Sequence, residues 1–191
     1  GENYLQFEKG LENFRSNGNK LIFNLNVNDA LKDSEICFIT VPTPSNSSGS
    51  FSNKFIFEVL EDVAVHLKTR ENSKEPYIIN INSTIMPGST KDELIPYLEK
   101  KGFKNNVDFS FLYNPYFVAL GDVIKGLENP DLILVGSENK YATKKIMGIY
   151  NKIYKKNLIS ELTFLEAELT KLLVNCYLTL KISFSNMVKI I

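Results

Sequence analysis

Short apolar runs of strand length alternate along this chain with longer stretches of helical pattern, and that alternation is the signature of repeated βα units. The strand-like runs are residues 21–23, 35–41, 77–81, 109–112 and 132–135. Helices are expected over residues 3–16, 29–32, about 53–68, about 89–101 and 140–152, the last with Ser137 as its N-cap. Residues 162–191 are apolar on nearly every face, which predicts one long helix buried between two bodies of protein. The expected class is therefore α/β, a parallel sheet followed by a long helix whose greasy surface needs a covering partner.

The chain of 191 residues carries 22 Lys and Arg against 22 Asp and Glu, a net charge of zero. Without a basic excess there is no electrostatic footprint for nucleic acid or an acidic membrane, and neither is expected as a partner. Lys171, Lys181 and Lys189 break the final apolar run well short of a membrane span. Cys37 and Cys176 stand far apart in apolar contexts, so neither a disulfide framework nor a metal site is suggested, and Cys176 reads as a packing residue. The first residues lack a basic region followed by an apolar run, which argues against a secretory leader. A reducing, cytoplasmic setting is expected.

In open α/β sheets ligands bind beyond the carboxyl ends of the strands, which directs attention to the loops after Val41, Ile81, Leu112 and Val135. Val41-Pro42-Thr43-Pro44 is a stiff loop that either holds a hydroxyl and bare backbone at the sheet edge or is simply a rigid turn. Asn82 to Thr90 places Ser83, Thr84, Ser89 and Thr90 before a helix start, where free N–H groups favour a phosphate or a carboxylate or serve ordinary capping. Tyr113-Asn114-Pro115-Tyr116-Phe117 is an aromatic loop of the kind that lines a pocket. On the long helix Lys171 and Asn175 share one face a turn apart, so they can steady an oxyanion or hold a water, or the lysine can simply snorkel. His66, the one histidine, falls inside a helix away from the strand ends and reads as structural.

Taken in order these motifs resemble the UDP-glucose/GDP-mannose dehydrogenase family. The blocks that carry the resemblance begin with Val41-Pro42-Thr43-Pro44, Ser83-Thr84 with Pro87-Gly88-Ser89-Thr90, and Asn114-Pro115-Tyr116-Phe117 with Gly121. They continue with Asn129-Pro130-Asp131 and Gly136, Ala167-Glu168-Leu169-Thr170-Lys171 with Asn175, and Lys181-Ile182-Ser183-Phe184-Ser185-Asn186. The resemblance implies a Rossmann-like sheet, incomplete at its N-terminal part, over residues 1–157 and a long central helix over 158–191. It implies NAD as cofactor, a nucleotide-sugar substrate, and oxidation of the sugar's primary alcohol to the carboxylate through a thiohemiacetal on a cysteine. On that pattern Val41, Pro42, Thr43, Ser83 and Thr84 adjoin the cofactor, and Tyr116, Phe117, Lys171 and Asn175 adjoin the substrate. Lys171, Asn175 and Thr84 are the catalytic candidates, and the long helix implies a homodimer.

The family's glycine-rich phosphate loop is expected upstream of Gly1 and its cysteine downstream of Ile191. Tyr116 stands where the family has Glu, Leu120 where a second acidic residue stands, and Leu132 where many members carry Arg. A tyrosine cannot serve as a carboxylate base near neutral pH. A non-catalytic homologue acting as a binding or assembly module is therefore the alternative reading.

Overall fold

The computed structural model describes residues 22, 24–70, 73–118, 121, 123–154 and 158–190. The helix expected over 3–16, most of the strand at 21–23 and Leu120 lie outside the described residues.

A short helix α1 (Val27–Leu31) leads into β1 (Ile36–Ile39), α2 (Lys54–Thr69) and β2 (Tyr77–Ile81). After it come α3 (Ile95–Glu99), β3 (Phe109–Tyr113), α4 (Val123–Glu128), β4 (Ile133–Gly136), α5 (Lys140–Ile153), β5 (Ile159–Leu162) and α6 (Phe164–Ile190). The five strands form one sheet in sequential order. Every residue of β2 and β3 is buried, the polar Asn80 and Ser110 included, as strands covered on both faces require. Tyr77, Ile79 and Ile81 pack on one face with Leu60, Val63 and Leu67 of α2 and with Leu98 of α3. Ile78, Leu112, Ile133 and Val135 pack on the other with Ala142, Ile146 and Tyr150 of α5. His66 is buried edge-on to Tyr77, and burial lowers its pKa, a placement that belongs to the core.

The expectation of a parallel sheet holds for β1, β2 and β3 and fails at β4, which pairs antiparallel with β3 through Tyr113 and Gly136. The chain turns back beyond the carboxyl end of β3, so β4 enters beside Asn114 and then runs down β3. Asn139, three residues after β4, accordingly donates from Nδ2 to Oδ1 of Asn106, which precedes β3, at 2.9 Å. The loop after Val135 therefore leaves the cofactor edge, contrary to the sequence expectation. β5 then pairs parallel with β4, a strand that Ile-Ser-Glu-Leu does not announce because only one side of this edge strand is covered.

Three local differences have local causes. The helix expected over 89–101 opens with a π-helical turn, Thr90–Leu94, before α3. Pro96 has no N–H to give the Asp92 carbonyl and its ring crowds that position, so the turn widens and the Ile95 N–H reaches Thr90. Asn139, not Ser137, caps α5: its side chain accepts from the Ala142 N–H at 3.0 Å, and Ser137 stands two residues too early. Cys176 is exposed on α6 and does not pack.

α6 has 27 residues, about 40 Å of helix. Only Phe164, Ala167, Glu168 and Lys171 are buried among its described residues, so its first two turns alone dock on the sheet. Gly136 permits that docking, since a Cβ there would meet the Ala167 Cβ at 2.7 Å. Among the described residues no helix is long and apolar enough to cross a membrane.

Candidate functional site

The loops at the carboxyl edge of β1, β2 and β3 are joined to one another and to α6 by side-chain hydrogen bonds. Ser83 Oγ accepts from the Val41 N–H at 2.8 Å and donates to the Val41 carbonyl at 2.7 Å, which fastens the first loop to the second. Asn82 Nδ2 donates to the Asn114 carbonyl at 2.6 Å, fastening the second to the third. Asn114 Nδ2 in turn reaches the Leu134 carbonyl at 2.5 Å, and the Tyr150 hydroxyl donates to Asn114 Oδ1. Buried amides joined in this way are satisfied internally and hold the loops in one arrangement.

Val41 and Ser83 thus serve each other, while Thr43 and Thr84, half-buried on the same two loops, present hydroxyls without a hydrogen-bond partner among the described residues. Rigid backbone with two uncommitted hydroxyls at a strand edge fits a polar cofactor laid across β1 and β2. The amides at Gly88 and Thr90 do not remain open for a phosphate. Glu168 of α6 fills that position, accepting from Gly88 N–H at 2.6 Å, Thr90 N–H at 3.0 Å and the Thr90 hydroxyl at 2.6 Å. The seat that the sequence pattern offered to a phosphate or carboxylate ligand is taken by a side chain of the protein itself.

One turn along the helix, Lys171 is 8% exposed. Its ammonium donates to the Tyr116 carbonyl at 2.6 Å and sits 4.4 Å from the centre of the Phe117 ring. Burial lowers its pKa from the ordinary 10.5. Lys171 and the exposed Asn175 line a cleft of about 720 Å³ together with Phe117, Asp131 and Leu132. Motifs distant in sequence therefore meet on one wall, whereas Val41, Pro42, Thr43, Ser83 and Thr84 do not line this cleft. A cationic donor and an amide converging on a part-desolvated cleft can stabilise negative charge developing on oxygen.

Tyr116 contributes its backbone carbonyl to Lys171, and the residue is 38% exposed. Burial and the nearby Tyr154 raise its pKa above the ordinary 10.0, so the phenol is neutral near pH 7. Cys37 is buried within β1 and burial pushes its thiol up to about 11, an unreactive setting. Among the described residues no cluster of His, Cys, Asp or Glu suits a metal ion. Sequence reasoning quoted Glu168 only as part of a motif and assigned Asn82 and Asn114 no role. The signal was present: Glu168, Lys171 and Asn175 fall at i, i+3 and i+7, a spacing that puts three polar side chains on one face of the helix.

The mostly parallel sheet with its ligand edge is a Rossmann-like, NAD-binding domain. Residues 2–158 match the UDP-glucose/GDP-mannose dehydrogenase family, NAD binding domain, and the chain belongs to that family of NAD-dependent dehydrogenases acting on CH–OH groups. The UDP-glucose 6-dehydrogenase of Rickettsia felis is 33% identical over 169 residues, which cover 88% of this chain and 35% of the relative. The Mus musculus UDP-glucose 6-dehydrogenase is 29% identical over 174 residues, covering 88% and 34%. Among solved structures, a ternary complex of GDP-mannose dehydrogenase from Pseudomonas aeruginosa superposes with a TM-score of 0.82 at 29% identity, covering 92% of this chain and 39% of that one. A UDP-glucose dehydrogenase from Pyrobaculum islandicum gives 0.82 at 26% identity, covering 95% and 40%. The chain spans about a third of the length of the curated relatives it matches.

Proposed function

We propose that the full-length protein oxidises the primary alcohol of a nucleotide sugar to the carboxylate, with Lys171 and Asn175 as its oxyanion-stabilising pair. The observation that carries this reading is the buried Lys171 ammonium beside Asn175 in a cleft shared with Phe117 and Asp131. NAD would accept hydride from the sugar carbon twice, two molecules bound in turn, as the four-electron oxidation of an alcohol to a carboxylate requires. Thr43 and Thr84 are the residues of this chain that would hold it. Lys171 keeps one N–H on the Tyr116 carbonyl and has two more for an oxygen in the cleft. Its position is fixed before substrate arrives, which is the condition for a donor to act without reorganisation. The covalent step is assigned to the cysteine that the resemblance puts after residue 191. The long helix, with its exposed apolar face, supports a homodimer, and a cytoplasmic setting accords with two unpaired cysteines.

Tyr116 favours a second reading, a non-catalytic binding or assembly module, because it leaves the loop without the carboxylate base of the family pattern. The experiment that separates the two is NADH production by the full-length gene product with UDP-glucose, a UDP-N-acetylhexosamine and GDP-mannose in turn. Turnover with one of them supports the dehydrogenase and names its sugar. No turnover with any, in protein that still binds NADH, supports the module.

A further inference from the structure

Glu168 is 1% exposed, yet among the described residues no cation pairs with it. A buried carboxylate is costly unless its charge is met, and here three donors meet it: two backbone amides and a hydroxyl, all from residues 88–90. Gly88 makes the approach possible. It adopts φ +91°, a conformation that a residue with a Cβ takes only under strain, and so presents this amide to α6.

Three residues on, the same turn of helix carries Lys171, whose ammonium is fastened to the third loop at Tyr116. One helical turn thus makes both tethers: Glu168 to the loop that carries Thr84, Lys171 to the loop that carries Phe117. Asn82 and Asn114 close the circuit by joining those two loops. The rest of α6 has no such anchor, since beyond Lys171 its described residues are half-buried or exposed. Among the described residues of α6 the buried apolar ones are Phe164 and Ala167, the latter against Gly136. Apolar contact resists separation but is non-directional, and it does not fix rotation about the helix axis. A carboxylate held by three directed bonds does.

We propose that Glu168 is a positioning residue for the dehydrogenase reaction: by gripping the amides at Gly88 and Thr90 it sets the rotation of α6 and so the place of Lys171 relative to Thr84. The inference rests on the dehydrogenase reading for its consequence in rate, and on geometry alone for its consequence at Lys171. A displacement of about 1 Å in such a group costs about 10²-fold in rate, while binding of substrate and cofactor suffers far less.

The test uses the full-length protein with Glu168→Gln, which replaces one acceptor oxygen by an NH₂ that opposes an N–H, and Thr90→Val, which removes the hydroxyl donor alone. Two readouts are taken: steady-state kinetics over pH, and the rate at which acetic anhydride acetylates Lys171 relative to Lys145, followed by peptide mass. Glu168→Gln is expected to lower kcat by about 10²-fold with the KM for NAD little changed. Acetylation of Lys171 is expected to rise by roughly tenfold while Lys145 stays constant. Thr90→Val is expected to move both readouts in the same direction by less, and it decides the matter should Glu168→Gln not fold.

Acetylation of Lys171 at the wild-type rate in either folded variant overturns the proposal. So does a loss of thermal stability with kcat per folded molecule and the alkaline limb of the pH profile unmoved, the result of a merely structural role. Absence of turnover in the wild type counts against the dehydrogenase reading, and the acetylation ratio still decides whether Glu168 sets Lys171.

Discussion

Ser83 Oγ and the backbone of Val41 exchange two hydrogen bonds, one in each direction, across 42 residues of sequence. A single hydroxyl thereby satisfies a part-buried amide and a part-buried carbonyl and joins the two loops on which the cofactor is expected to lie. Replacing Ser83 with Ala strands both backbone groups, at a cost of about 1–3 kcal/mol. Urea denaturation is expected to show a lower midpoint with an unchanged slope. NADH titration by fluorescence is expected to show weaker binding, and wild-type affinity would mean that the clamp does not shape the cofactor site.

Gly136 and Ala167 mark the closest approach of α6 to the sheet. Gly136→Ala puts a methyl 2.7 Å from the Ala167 Cβ and 3.3 Å from the Thr163 carbonyl. Overpacking of this kind costs about 1–3 kcal/mol, read as a lower thermal midpoint. Adding Ala167→Gly to the variant is expected to restore much of the loss. A double variant no more stable than the single one would place the strain elsewhere.

Lys171 gives stability a pH dependence of definite sign. Its folded pKa lies below the 10.5 of the unfolded chain, because burial disfavours the ammonium. Below the folded value both states hold the proton, and burying the charge detracts from stability. Between the folded value and 10.5 only the unfolded state binds the proton, so this contribution grows with pH and is greatest above 10.5. Measured against Lys171→Met, wild-type stability is expected to gain across the window just below pH 10.5. A pH-independent difference would contradict the buried placement. In turnover by the full-length protein, the same variant is expected to lose about 10²-fold or more in kcat.

Tyr116 leaves the cleft without a carboxylate, and a positioned general base is worth about 10²–10⁴ in rate. Tyr116→Glu in the full-length protein is expected to raise kcat toward that range, since the Lys171 ammonium is held by the backbone carbonyl of residue 116 and not by its side chain. An unchanged kcat would show that another group already performs the proton transfer.

Leu173, Tyr177, Leu180 and Phe184 are each more than half exposed on α6. Apolar surface of that extent is what the proposed homodimer would cover. Light scattering of the full-length protein is expected to give twice the protomer mass, and Leu173→Glu with Phe184→Glu to give the protomer mass. A wild-type protomer at high concentration would exclude the helix as a dimer contact.

The strands most legible in the sequence were β2 and β3, because burial on both faces makes them predominantly apolar, with Asn80 and Ser110 the polar members. β5 escaped notice because an edge strand buries one side only, and Ile-Ser-Glu-Leu carries no pattern that separates it from a loop. The reversal at β4 was equally hidden: Ile-Leu-Val-Gly reads the same in either direction, and the pairing of Tyr113 with Gly136 depends on where the preceding connection crosses the sheet edge. The carboxyl-edge loops were legible as candidates because proline and small hydroxyl residues interrupt the apolar periodicity there.

By itself the sequence determined the α/β class, the loops that follow Val41 and Ile81, and the shared helix face of Lys171 and Asn175, since each rests on periodicity or on spacing within one element. The tertiary structure alone decided that Lys171 rests on the Tyr116 carbonyl, that Val41 and Ser83 bind each other, and that Glu168 occupies the amides a phosphate might otherwise take. Those contacts join residues from 42 to 80 positions apart. Local propensity sets which side chains can donate and accept; only the packing of α6 across the sheet edge selects their partners.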